Sequence, residues 1–348
     1  MKPKRDTASK HRRGFTLVEL LVASAVTVVL AGLVVAMLAH MTRTWARASG
    51  GLAARQQAAL ALDLVARDLG SVVVRADGRA WLAATVQGDQ SGSGDTGGSL
   101  ADWTSPERKP PTVPGRSLRL APRSGRLEDC RFGMAGVWLR FVAQVPDAND
   151  GVANASAPRV VAYQIVRRPV AAGAGARCRY GLFRSEVRPY ADAEPARSRS
   201  TFVVGHDVFA PAYNSTAGGW NLGDAGTVRR PRRDHLLAND VIDFGVRFLR
   251  RDAATGRESV LFPVGDGNLG FAATSVAGRL TVNPEVDGAA MTYGFPTAAE
   301  VFVRVLTEEG ARLVEAMEEG RSAPTDWWAL AEANSIVMTR RVEMEAGR

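Results

Sequence analysis

The chain has 348 residues, 46% of them hydrophobic and 23% charged, an ordinary globular composition that excludes wholesale disorder. Two cysteines exclude a disulfide-built scaffold, and four histidines (His11, His40, His206, His235) leave little for a His-based metal site. The formal charge of +8 is concentrated at one end: Lys2, Lys4, Arg5, Lys10, Arg12 and Arg13 against Asp6 give residues 1–14 a charge of +5, leaving +3 on the rest. A nucleic-acid binder carries its positive charge on the folded part, so this distribution points away from nucleic acid.

After the basic tail the chain reads FTLVELLVASAVTVVLAGLVVAMLAHM from Phe15 to Met41, and Leu20 to Ala39 is an uninterrupted uncharged run. As a helix, that run spans about 30 Å, the hydrocarbon thickness of a bilayer. Lys10, His11, Arg12 and Arg13 precede it and only Arg43 and Arg47 follow closely, which predicts a cytoplasmic N-terminus and an exported remainder. The run is too long for the apolar core of a cleaved secretory signal and lacks a clear small-residue exit. Glu19 stands out, a carboxylate among Leu17, Val18, Leu20 and Leu21 at the cytoplasmic edge. A charge at that depth is costly and calls for a partner; snorkelling toward headgroups beside Arg12 and Arg13 is the plainer alternative.

The string Arg12-Arg13-Gly14-Phe15-Thr16-Leu17-Val18-Glu19 followed by the apolar run resembles the leader of type IV pilins and type II secretion pseudopilins. The resemblance implies that a prepilin peptidase cuts after Gly14, that Phe15 becomes the N-methylated first residue, and that Glu19 is the family's acidic assembly residue. The freed amine of Phe15 would then meet Glu19 of a neighbouring subunit and set axial register. Small residues Ala23, Ser24, Ala25, Ala31 and Gly32 would let such helices approach closely. Implied partners are other pilins or pseudopilins, the peptidase and an inner-membrane assembly platform, with no cofactor.

Residues 42–70 keep helical character. Ala58, Leu62, Val65 and Leu69 fall on one face, with Arg55, Asp63, Arg67 and Asp68 largely off it, Gly50-Gly51 as a weak point and Gly70 as a stop. The spacing predicts one long helix over 15–70, with two helices joined at Gly50-Gly51 as the alternative. The expected organisation is a leader (1–14), a membrane-spanning half-helix (15–41), a soluble half-helix (42–70) and a β-rich domain (71–348) with long loops near 88–116 and 187–232. Strands are predicted at Ser117–Ala121, Val137–Ala143, Val160–Arg167, Arg179–Glu186, Val241–Arg250, Ser259–Val264 and Val301–Thr307. Their short Gly/Pro-rich connections predict a mainly antiparallel sheet, followed by helices near Glu308–Glu319 and Asp326–Ala333. The fold class expected is therefore α+β and pilin-like, a long N-terminal helix packed on an antiparallel β-sheet domain.

The order of the pieces LALDLVARDLGSVVVR, VVAYQIVRR, CRYGLFRSEVRP, LLANDVIDFGVRFLRRD and AAEVFVRVLTEEG is similar to the J-type minor pseudopilins and W-type minor pilins. The similarity rests on the helix-ending pair Asp68-Leu69, a Tyr-containing strand paired with the Leu-x-Arg strand Leu182-Phe183-Arg184, a strand opened by a V-x-x-F run, and a late strand leading into an E-x-G turn. It implies a structural subunit of a secretion or pilus-like filament, not an enzyme. A type IV pilus subunit for adhesion or DNA uptake is one alternative, and a membrane-anchored envelope enzyme or binding module is another.

Other constellations are weaker. Gly265-Asp266-Gly267-Asn268-Leu269-Gly270 fits G-x-G-x-x-G, but turn and strand follow it rather than the helix a dinucleotide site needs. Asp147, Asn149 and Asp150, with Asp266 and Asn268, offer oxygen ligands suited to Ca²⁺, which some pseudopilins bind; ordinary Asx turns account for them equally well. Cys130 and Cys178 allow either a disulfide or two thiols. Arg229, Arg230, Arg232 and Arg233 read as a solvated loop, and Trp327-Trp328 as a core or interface anchor.

Overall fold

A computed structural model of the chain describes residues 16–74, 80–86, 117–122, 124–144, 159–169, 177–187, 235–252, 254–265, 269–276, 279–282, 296–322 and 326–344. The described chain falls into two compact units, one ending at Ser49 and the other beginning at Gly50. Helix α1 (Leu17–Gly70) contributes to both. It opens on a capping box. Thr16 Oγ1 accepts from the Glu19 N–H at 3.3 Å, while Glu19 Oε2 accepts from the Thr16 N–H at 2.9 Å. It passes Gly50 and Gly51 without interruption, so the single-helix expectation holds and the joined pair does not.

In the second unit the buried face of α1 is Ala54, Ala58, Ala61, Leu62, Val65 and Leu69. This contains the apolar face expected from spacing. Asp68 departs from expectation: it is only 1% exposed and lies on the buried side.

The β-domain consists of two antiparallel sheets. The larger one is built from β1 (Ala80–Val86), β2 (Val137–Ala143), β3 (Arg159–Pro169), β4 (Cys178–Val187), β5 (Leu236–Asn239), β8 (Gly270–Val276) and β9 (Arg279–Val282). They lie in the order β5-β4-β3-β2-β1-β8-β9. The smaller sheet is β11-β10-β6-β7, from β6 (Val241–Arg251), β7 (Glu258–Phe262), β10 (Ala298–Leu306) and β11 (Ser335–Glu343). Helices α2 (Glu308–Glu318) and α3 (Trp327–Ala333) connect β10 to β11. Every pairing among the described strands is antiparallel.

Aromatic rings fill the shared core. Tyr163 on β3 lies 6.3 Å from Phe141 on β2 and 6.3 Å from Phe244 on β6. A second group joins Phe248 to Phe262 and Phe271 at centroid separations of 6.3 and 4.7 Å. Each such pair adds to plain burial through ring quadrupoles, by about 0.5–1.5 kcal/mol.

Several expectations are corrected. Residues 117–121 form no strand; only Arg119 bridges to Arg131. The strand expected to reach Val264 ends at Phe262, because Pro263 has no N–H to offer the ladder. Thr307 is not a strand residue but the N-cap of α2, its side chain accepting from the Gly310 N–H at 3.1 Å.

Candidate assembly site along the first helix

The segment Leu17–Thr42 has a mean hydropathy of 2.6 and none of its best window is buried by the rest of the chain. Leu17, Val18, Leu21, Val28, Leu33, Val35 and Met37 are among the large apolar side chains it exposes. Such a surface needs lipid or other helices to cover it. Its hydroxyls are silenced locally. Ser24 Oγ donates to the Leu21 carbonyl at 2.9 Å, Thr27 Oγ1 to Ala23 at 2.8 Å and Thr42 Oγ1 to Ala39 at 3.0 Å. With their bonds made inside the helix, these three hydroxyls add no unmet donor that hydrocarbon would penalise. A Cβ placed on Gly32 would meet nothing within 4 Å, so that turn offers a shallow, open contact.

Glu19 is the one acid in this surface. Both hydrogen bonds it accepts, from the Thr16 N–H and from Thr16 Oγ1 at 3.0 Å, fall on Oε2. Oε1 accepts none among the described residues. Gly14 and Phe15, where cleavage and methylation are expected, lie outside the described residues.

The other end of α1 is held by a buried clamp. Asp68 Oδ2 accepts from the Tyr163 hydroxyl at 2.5 Å and from Arg184 Nε at 2.6 Å. Tyr163 on β3 and Arg184 on β4 are register partners, so the two donors sit side by side. Burial, with the Asp68 carboxylate beside it, pushes the Tyr163 hydroxyl well above its ordinary value and keeps it a proton donor. Asp68, Tyr163 and Arg184, distant in sequence, therefore meet in space.

Four residues along the same ladder a second clamp repeats the chemistry with the roles exchanged. Arg167 on β3 and Tyr180 on β4 are register partners, and both bind Glu318 at the end of α2. Arg167 Nη2 donates to Glu318 Oε2 at 3.1 Å, the Tyr180 hydroxyl donates to Oε1, and Trp327 Nε1 donates to Oε1 at 3.2 Å. Sequence reading missed this set. The tyrosine-arginine pairs on two neighbouring strands were the available signal, visible only once the register is known.

Cys130 and Cys178 are not joined by a disulfide, so the two-thiol alternative is the one the structure shows. Cys130 is buried, and burial pushes its thiol up to about 11. Trp327 and Trp328 are core residues, as expected. The calcium candidates Asp147, Asn149, Asp150, Asp266 and Asn268 and the arginines 229–233 lie outside the described residues, and no metal-ligand cluster occurs among the described ones.

Residues 9–35 match the family model of the prokaryotic N-terminal methylation motif. The chain carries a type IV pilin-like prepilin signal. No curated protein and no solved structure matches the chain. The pilin-type signal marks a pilin or pseudopilin-type subunit, a class that assembles with other pilins and is processed by prepilin peptidase. The exposed apolar helix directly behind the signal is consistent with membrane anchoring.

Proposed function

We propose that the chain is a minor pseudopilin or minor pilin-like structural subunit of a type II secretion or pilus-like filament. A prepilin peptidase cuts between Gly14 and Phe15, Phe15 is N-methylated, and the mature chain sits in the inner membrane with its β-domain outside the cytoplasm. In this reading it performs no reaction of its own. Its work is to enter and template a filament at the assembly platform.

The observation that carries the reading is the wholly uncovered apolar helix with a single acid one turn inside its start. Glu19 Oε1 is the oxygen left for the Phe15 ammonium of a neighbour. Pairing the two cancels both charges inside a low-dielectric bundle, and losing either partner costs about 3–5 kcal/mol. The convergence of Asp68, Tyr163 and Arg184, which lie in pieces of the chain that resemble J/W-type subunits, is in keeping with that reading.

N-terminal mass analysis of protein purified from cells with an active prepilin peptidase tests the reading. Methyl-Phe15 is expected; a retained Met1 leader overturns it and favours a simple membrane anchor. Glu19→Ala is expected to be processed normally and to be lost from filament pull-downs. Normal incorporation of that variant would refute the charge-pairing role.

A further inference from the structure

We propose that the Asp68–Tyr163–Arg184 clamp is the point at which axial pull on α1 is handed to the seven-stranded sheet. The inference rests on the filament reading for the origin of the pull, since a subunit lifted from a membrane is hauled by its apolar helix. The geometry is independent of that reading.

The seat of α1 is smooth where it begins. Ala54, Ala58 and Ala61 are the first buried residues, and methyl groups make shallow ridges that resist sliding poorly. Leu62, Val65 and Leu69 pack more deeply but make no directional bond. On this buried face the directional contacts fall on Asp68. Its Oδ2 is held from two adjacent strands at once, at 2.5 and 2.6 Å, so the oxygen is restrained in more than one direction. A slip of about 1 Å takes such bonds beyond useful hydrogen-bond length. Asp63 and Arg340 of β11 also pair, but with side chains 58% and 47% exposed, and a solvated pair yields easily. Among the described residues, the first helix's chain joins the sheet through its backbone only past the clamp, where the Val73 N–H donates to Val142 O at 2.9 Å and the Gln144 N–H to Ser71 O at 2.9 Å. The clamp thus takes the strain before the ladder does. The second clamp, on Glu318, shares the sheet but not this path, which makes it the control.

The test uses the full chain in detergent micelles, held at its two ends in magnetic tweezers at constant force. Asp68→Asn is expected to raise the rate of the first opening step by about tenfold or more, the loss of a charge-assisted bond. Glu318→Gln is expected to leave that step unchanged while lowering resistance to denaturant. Equal acceleration by both variants, or none by Asp68→Asn, overturns the proposal. Should Asp68→Asn not fold, Tyr163→Phe removes one hydroxyl and keeps the ion pair; a several-fold faster first step supports the clamp and an unchanged one refutes it. A retained leader sequence would defeat the filament reading and leave these rates as they are, so the two failures are distinguishable.

Discussion

Asp243 is the residue at which stability and pH meet. It is fully buried on β6, opposite Arg304 on β10, and its Oδ2 accepts from the Phe132 N–H at 3.2 Å. Burial raises its carboxyl from 3.8 to about 8, against the pull of Arg304. The folded chain therefore binds this proton more tightly than the unfolded one. The stabilisation is complete below about pH 4 and is lost as pH rises through about 8. Denaturant melts across that window should show declining stability in the parent chain, and Asp243→Asn should flatten the decline. The cysteines offer a second residue-scale test. At pH 8, iodoacetamide should label half-buried Cys178 well before Cys130, whose buried thiol stays protonated. Breaking the first clamp by Arg184→Met should cost about 3–5 kcal/mol in a denaturant titration, because Asp68 is left as an unpaired buried charge.

Among the elements, turn geometry sets sharp limits. Gly136 precedes β2 with a φ of 62°, and a Cβ there would stand 2.7 Å from Phe244 O. Gly136→Ala meets a backbone atom that cannot step aside, and should lower the thermal midpoint by several degrees. The long elements were legible because their patterns are local. The 3.6-residue spacing of Ala58, Leu62, Val65 and Leu69 predicts the buried face of α1, and the β-branched run of Val137–Ala143 predicts β2. What local pattern hides is tertiary. β1 and β8 are alanine-rich (AWLAATV and GFAATSV), poor strand formers that are strands because apolar neighbours pair with them on both sides. β11 carries two arginines and a glutamate at an edge and shows no clean alternation. Asp68 was misplaced for a related reason: an acid on an apolar helix face makes sense only with Tyr163 and Arg184 beside it. The N-terminal methylation motif needed no such help, since it is one contiguous stretch within residues 9–35.

For the molecule as a whole, the order of pairing sets the order of completion. β1 pairs with β8, some 190 residues later in the chain. β10 pairs along its whole length with β11, which reaches it only after the two helices α2 and α3. Removing residues 335–348 should strip one side of β10, expose Val301, Val303 and Val305 to solvent contact, and give protein that binds a hydrophobic dye and is rapidly proteolysed. Because two helices separate β11 from β10, β10 stays an open edge of the small sheet until the chain beyond α3 has folded back onto it. Until then that row of unpaired backbone groups is a template on which a second copy could anneal.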